Sequence, residues 1–270
     1  MKNLVFFLTA WSALAVWSTA SAQVFKNDDL AITSLGDRMW VVETTDKTTM
    51  YLIEGDEKAL LIDTGTKCEK LDEVIRQITQ KPLFVVLTHS HYDHAGNIRY
   101  FNEIYLHPAD TVLLDHTYKG KMHFVGDGYV FELGNRPIRV VYMPAHTPGS
   151  IVLTDDKTGS CFTGDAFGSG QVWLQLKPIA PMQTYINSLK KMTVLMDQGI
   201  TKIYCGHYPY IQKPLSKDYI LAMLELAVSL ENGTASGAKA FNIKVSFGCE
   251  NPMIVSNGQA SIVYDPEHLK

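Results

Sequence analysis

Short, mostly apolar runs separated by polar breaks fill residues 30 to 63: Leu30 to Thr33, Arg38 to Glu43, Met50 to Glu54 and Ala59 to Ile62. Gly36-Asp37, Asp46-Lys47 and Gly55-Asp56 punctuate them, so the pattern predicts successive strands joined by turns. The period then changes. Leu71, Val74, Ile75 and Ile78 recur at helical spacing ahead of Pro82, which predicts a helix. The apolar run Leu83-Phe84-Val85-Val86-Leu87 reads as a buried strand. A short helix, a strand at Ile104-Tyr105-Leu106 and a helix opened by Pro108 come next, and strands return over residues 129 to 163. Met182, Ile186, Leu189 and Met192 mark a further helix. Lys202 to Cys205 is another strand, and Lys217 to Leu230 an apolar-rich helix ending at Asn232-Gly233. Strand-rich stretches followed by helices, twice over, predict an α/β chain of two packed sheets flanked by helices.

The end of the chain reads as a strand-rich extension, from about residue 234 to 270. Phe241, Ile243, Val245 and Phe247 alternate with Asn242, Lys244 and Ser246, the pattern of a half-buried strand. Ala260 to Tyr264 is placed to pair with it across the Asn251-Pro252 and Asn257-Gly258 turns. A plain sheet extension is the expectation; cleft cover or a dimer contact would use the same pattern.

At the other end, Lys2 precedes an apolar stretch from Leu4 to Trp17, followed by Ser18-Thr19-Ala20-Ser21-Ala22. Residues 1–22 therefore read as a secretory signal peptide cut after Ala22, leaving residues 23–270 as a single domain. The apolar run of 14 residues is short for a membrane span. A periplasmic or secreted protein with no stable membrane anchor is expected. Cleavage would leave 270 − 22 = 248 residues, enough for one large core, and would move the net charge from −4 to −5 by removing Lys2. No basic tract is present, so no nucleic-acid partner is expected. Cys68, Cys161, Cys205 and Cys249 show no Cys-x-x-Cys spacing, and two of them sit in apolar runs. Buried free thiols are expected, although export would permit disulfides.

The chemistry concentrates in Thr88-His89-Ser90-His91-Tyr92-Asp93-His94-Ala95-Gly96, directly after a predicted buried strand. His89 and His91 point the same way if strand geometry persists. Asp93 and His94 then turn with the loop toward a second point. The arrangement suits two adjacent metal ions better than one. His146, Asp165 and His207 each follow a short apolar run and a small or rigid residue, as side chains presented by a sheet edge to one cleft would.

The series His-x-His-x-Asp-His, then His146, then Gly164-Asp165, then Gly206-His207 resembles the metallo-β-lactamase-fold hydrolases. It looks most like the branch containing hydroxyacylglutathione hydrolases (glyoxalase II) and lactonases. Leu60-Leu61-Ile62-Asp63-Thr64-Gly65 also resembles that fold's early Asp-Thr-Gly turn. The resemblance covers roughly residues 30 to 210. It implies a four-layer αββα sandwich. It implies that His89, His91 and His146 hold one metal, that Asp93, His94 and His207 hold the second, and that Asp165 bridges both. Asp63 would accept a hydrogen bond from a ligand imidazole and fix its ring. Hydroxyacylglutathione hydrolases carry a helical C-terminal region with basic residues for glutathione; this strand-rich tail departs from that pattern and speaks against glutathione.

Such ligands suit two zinc ions, and iron or manganese would accept the same set. Water on zinc has a pKa near 7, so a bridging hydroxide is the expected nucleophile, with Asp93 and Asp165 as the catalytic carboxylates. No Gly-x-Ser-x-Gly elbow offers a protein nucleophile. Two dications less two carboxylates and a hydroxide leave the site near +1, which favours an anionic small-molecule substrate. The expected reaction is hydrolysis of an ester, thioester or lactone. A β-lactam hydrolase is the alternative, then a phosphodiesterase or an iron-dependent persulfide dioxygenase. A metal-binding module without turnover is the non-catalytic reading. Phe167, Trp173 and Tyr208 are the candidate substrate-lining residues, with Gln175, His116, His123 and Tyr129 as weaker ones.

Overall fold

Side-chain alternation sorts the strands into layers. The structure, a computed structural model, describes residues 22–270, so the segment read as a signal peptide lies outside the described residues except for Ala22. Eight strands form the first sheet in chain order: β1 (Gln23–Lys26), β2 (Leu30–Gly36), β3 (Met39–Thr44), β4 (Thr49–Glu54), β5 (Ala59–Ile62), β6 (Leu83–Val86), β7 (Glu103–Leu106) and β8 (Lys121–Phe124). Neighbours from β1 to β5 are antiparallel. From β5 onward they are parallel, the first crossover carrying α1 (Leu71–Arg76).

The second sheet runs β14 (Lys202–Cys205), β12 (Ser160–Gly164), β11 (Ile151–Asp155), β10 (Pro137–Tyr142), β9 (Val130–Glu132), with β12 and β14 parallel. A small third sheet runs β13 (Gln171–Trp173), β17 (Ser261–Tyr264), β16 (Met253–Ser256), β15 (Lys239–Ala240).

Strand β4 shows how the layers follow from the sequence. Tyr51 and Ile53 join Phe131, Ile138, Val140, Leu153 and Phe162 in the core between the two large sheets. Met50 and Leu52 join Leu71, Val74 and Ile75 of α1 on the outer side. A one-residue slip would exchange the two sets, and burying each such side chain contributes about 1.5–3 kcal/mol, so register is firmly set. On the far side of the second sheet, Val141, Val152, Cys161 and Ile203 are covered by α3 (Met182–Asp197) and α4 (Lys217–Glu231). Helix, sheet, sheet, helix is the four-layer αββα sandwich. The Ser216 side chain accepts the Tyr219 N–H to open α4, and Gly233, at φ +69°, follows its end.

Sequence expectation and structure part company in the tail. The Phe241–Phe247 run is not a strand: β15 stops at Ala240 and irregular backbone follows. The reason is edge availability. Strand β17 is already paired on one side with β13 and on the other with β16, whose Met253–Ser256 register was not anticipated. The tail therefore builds a separate sheet instead of extending a large one, and leaves the 241–247 segment to cross open space. Two smaller differences concern helices. Ile78 falls beyond the end of α1, and the segment opened by Pro108 is a 3-10 helix, Pro108–Leu113. All four cysteines are buried and unpaired.

Candidate metal centre

One end of the sandwich collects every strand exit that matters: β5 into Asp63, β6 into His89 and His91, β10 toward His146, β12 into Asp165 and β14 into His207. The four-residue helix α2 (Tyr92–Ala95) follows His91 directly and turns Asp93 and His94 back into the cleft. The structure brings all seven sequence-derived ligand candidates together in two groups. His89, His91 and His146 form one; Asp93, His94, Asp165 and His207 form the other. Within each, one donor atom per residue lies within 4.8 Å of the rest. Asp165 also reaches the first group, with Oδ2 3.9 Å from His146 Nε2 and 3.2 Å from His207 Nε2.

The outer nitrogens fix the rings. His94 Nδ1 donates to Asp63 Oδ2 at 3.0 Å, His146 Nδ1 to the Trp173 carbonyl at 2.7 Å, and His207 Nδ1 to the Lys47 carbonyl at 3.1 Å. A carbonyl can only accept, so in each carbonyl-bound ring Nδ1 carries the proton and Nε2 presents a lone pair to the cleft when the ring is neutral. Asp63 is itself held by the Thr88 N–H at 2.7 Å and the Thr88 hydroxyl at 2.8 Å, and its backbone sits at φ +63°, a conformation Asp tolerates better than most residues. Burial pushes the Asp63 carboxyl up, and the bonds from His94 and Thr88 oppose it.

Four inward atoms, His89 Nε2, His91 Nε2, His94 Nε2 and Asp165 Oδ1, are buried without any hydrogen-bond partner. Orphaned buried polar groups are costly and rare. His91 Nδ1 and His146 Nε2 meanwhile face each other at 2.9 Å. Nitrogen and carboxylate donors converging in this way fit divalent metal ions. The backbone makes room for them. A Cβ on Gly206 would stand 2.3 Å from Asp165 Oδ1 and 2.6 Å from His94 Cε1, so only glycine fits beneath the cluster. Gly164, at φ +49°, lies where a Cβ would meet the Thr88 hydroxyl at 2.1 Å.

Electrostatics divide the cluster in two. Burial, reinforced by the neighbouring imidazoles, pushes His89 well below its usual range and His91 to about 3, so both are neutral. In the other group, burial opposes charge but is overridden. His94 and Asp165 neighbour one another with Asp93 and His207, and these mutual charges hold Asp93 at about 2 and Asp165 well below the carboxylate range. Against burial, Asp93 and Asp165 raise His94 to about 10, and Asp165 raises His207 to about 12. Without metal the second group is thus two carboxylates facing two imidazoliums.

A cavity of about 600 Å³ opens over this cluster, lined on its other walls by Trp173, Leu176, Tyr210, Ile243 and Phe247. Among the substrate-lining candidates, Trp173 lies on it and two others do not. Phe167 is fully buried in the core under α3, its ring 6.4 Å from Tyr185. Tyr208 packs toward the inter-sheet core, its ring 6.0 Å from Tyr204, because the short helix at Tyr208–Tyr210 turns Tyr210 to the cleft instead. Gln175 is buried, His116 and Tyr129 are exposed, and His123 stacks on Tyr105 at 4.5 Å; none lines the cavity.

Sequence reasoning missed Asp110. Its buried carboxylate accepts from the Ser90 N–H at 3.0 Å, the Thr147 hydroxyl at 2.8 Å and the Gly149 N–H at 2.6 Å, tying the loop of His89 and His91 to the loop of His146. Nothing in Pro108-Ala109-Asp110 marks it, because its partners lie 20 to 39 residues away along the chain. Tyr210, Ile243 and Phe247 were missed as cleft residues too, although the apolar alternation around the last two was visible.

Residues 44–207 match the family described as the metallo-beta-lactamase superfamily. Human acyl-coenzyme A thioesterase MBLAC2 is 26% identical over 225 residues, spanning 65% of this chain and 80% of that protein. The hydroxyacylglutathione hydrolase of Francisella philomiragia is 25% identical over 193 residues, spanning 72% of this chain and 71% of that protein. A solved structure, TTHA1623 in a di-iron-bound form, is 27% identical with a TM-score of 0.50, covering 59% of this chain and 87% of that one. The metallo-beta-lactamase from Pontibacter korlensis shares the fold with a TM-score of 0.58 at 20% identity, covering 74% of this chain and 99% of that one. With the family match spanning more than half of its residues, from β3 to His207, the chain belongs to the metallo-beta-lactamase superfamily of metal-dependent hydrolases.

Proposed function

We propose that this chain is an exported hydrolase of an ester, thioester or lactone that works with two divalent cations. The observation that carries the reading is the set of buried, unpartnered ligand atoms, facing one another while the opposite nitrogens of His94, His146 and His207 are committed to fixed acceptors. His89, His91 and His146 would hold one cation and Asp93, His94 and His207 the other, with Asp165 between them. Bound there, such cations lower the pKa of water from 15.7 to about 7 and polarise a carbonyl. Zinc is the cation that the nitrogen-rich donor set favours; the di-iron relative makes iron the alternative. Export rests on the Lys2 to Ala22 pattern.

The protein's own groups supply position and proton transfer. Asp93 is the carboxylate of the cluster most open to the cavity, with Oδ2 3.4 Å from His207 Nε2. Through the carboxylate oxygen that does not hold a cation, it would take a proton and return it to the departing sulfur or oxygen. Water adds to the carbonyl carbon, the carbon–sulfur or carbon–oxygen bond breaks, and a carboxylate and a thiol or alcohol leave. Ser169 lines the cavity, but its hydroxyl donates to Cys205 Sγ at 3.1 Å and has no base beside it, so it is not a nucleophile. The thioesterase and hydroxyacylglutathione hydrolase relatives support the same bond class.

A panel of thioesters, lactones, simple esters and a cephalosporin tests the proposal on metal-loaded and chelated protein. Ester-type turnover that disappears on chelation and returns with metal is expected. Turnover confined to the cephalosporin, or unaffected by chelation, would overturn it.

A further inference from the structure

Part of the cavity wall that faces the ligand cluster, Ile243 and Phe247, is built by the tail, beyond the residues that match the family. The 241–247 segment is pinned at both ends. At one, Phe241 N–H donates to the Pro252 carbonyl at 2.8 Å beside the β15–β16 pairing. At the other, Gly248 bridges Leu176, the Lys177 N–H donates to the Phe247 carbonyl at 2.8 Å, and the Cys249 N–H to the Gln175 carbonyl at 2.9 Å. Between these anchors the chain crosses the mouth of the cleft. Phe247 places its ring 5.5 Å from the His91 ring, and Phe241 packs its ring 5.3 Å from Trp173. Ile243 and Phe247 remain 56% and 47% exposed although they line the cavity, so they present apolar surface to whatever enters it.

The two sides of the cluster differ. Trp173, Leu176 and Phe247 stand by His91 and His146, whereas Asp93 and His207 stand on the side that opens past Tyr210. Among the described residues, no lysine or arginine lines the cavity. The polar side at Asp93 and His207, which opens past Tyr210, suits a departing alcohol or thiol and gives it a way out. The group that stays on the carbonyl carbon therefore points at the apolar wall.

We propose that the tail segment is an acyl-binding wall, and that the substrate is an ester or thioester of an apolar acyl group several carbons long, selected by Phe247 and Ile243. This rests on the hydrolase reading above and names its substrate class. Apolar burial follows area, so each methylene that enters the wall raises kcat/KM by up to about 4-fold.

The test uses the full metal-loaded protein and two ester series. In one, acetyl, butyryl, hexanoyl and octanoyl esters share a leaving group; in the other, the acyl group is fixed and the alcohol lengthens. kcat/KM should climb through the acyl series, by up to roughly 10²-fold from butyryl to octanoyl, and stay nearly flat in the alcohol series. Phe247→Ala should cut the octanoyl-to-butyryl ratio on the order of 10-fold, with Ile243→Ala adding to it, and Phe247→Leu should keep most of it. Metal content, measured on the same samples, should match the parent protein, because neither side chain is a ligand candidate. A flat acyl series, chain-length selection confined to the alcohol, or an unchanged ratio in Phe247→Ala would each overturn the acyl wall while leaving the hydrolase reading intact. Absence of turnover on every ester by the metal-loaded protein would sink both.

Discussion

The two ends of the sandwich both bury charge, and they resolve it in opposite ways. At the end away from the cleft, Arg136 is buried against Asp155, with Nε at 3.1 Å and Nη2 at 2.5 Å from the same carboxylate oxygen. Its Nη1 donates to the carbonyls of Asp37 at 2.6 Å and Glu54 at 3.0 Å, so one guanidinium fastens three turns together. Every donor there has a protein partner. At the cleft end, four inward atoms of histidine and aspartate have none, although the carboxylates and imidazoles around them are held just as firmly from behind. A buried charge that the protein satisfies is part of the scaffold. A buried donor set aimed at empty space, on rings locked from the other side, is a place for something else to bind.

Substitutions at the two ends should therefore fail differently. Asp165→Ala is expected to reduce ester hydrolysis at least ~10²-fold, the scale of removing one charge-stabilising group from an active site. It should also shrink the rise in melting temperature on adding metal, since a ligand at 1,000 times its Kd stabilises by about 4 kcal/mol. Arg136→Ala should do the reverse. It leaves Asp155 buried and unpaired, which costs about 3–5 kcal/mol of stability with or without metal, read from denaturant midpoints. The molecules that remain folded should keep their metal. Equal effects of the two substitutions on metal-linked stabilisation would erase the contrast.

A smaller effect is expected one step back from the cluster. Asp63→Asn keeps the size of the side chain but weakens acceptance from His94 and Thr88, and should lower metal affinity or activity about 10–100-fold. Its overall fold by circular dichroism should be unchanged. An Asp63→Asn protein with undiminished affinity would mean that the His94 ring is set by packing alone.

The most delicate effect is in protons. Without metal, His94 and His207 are held protonated, with values of about 10 and about 12, both above the ordinary imidazole range. A metal ligand must offer a lone pair, so binding has to release these protons, and apparent affinity must rise with pH below the raised values. Calorimetry in buffers of different ionisation enthalpy should find up to about two protons released per chain near pH 7. Affinity that is independent of pH would contradict the imidazolium–carboxylate arrangement of the metal-free cluster.

Much of this was legible in the chain because the relevant signals are local. The continuous apolar runs Met50 to Ile53 and Ala59 to Ile62 give strands buried on both faces. Ligand residue types stand out wherever an apolar run stops, as at His89, Asp165 and His207, and the structure gathers those positions in one cleft. What escaped depends on which strand takes which edge. Phe241 to Phe247 carries a strand's alternation and yet forms none, since β13 and β16 already occupy both edges of β17. Asp110 carries no local sign because its role lies in joining two loops. Tyr208 and Tyr210 are two residues apart, and only the turn between them decides which one meets the cleft.

Elemental analysis of the purified protein, combined with ester turnover on the same samples, bears most directly on the paired-cation account. Two divalent ions per chain are expected, with activity tracking occupancy through chelation and reloading. Full activity in protein stripped of metal would contradict it.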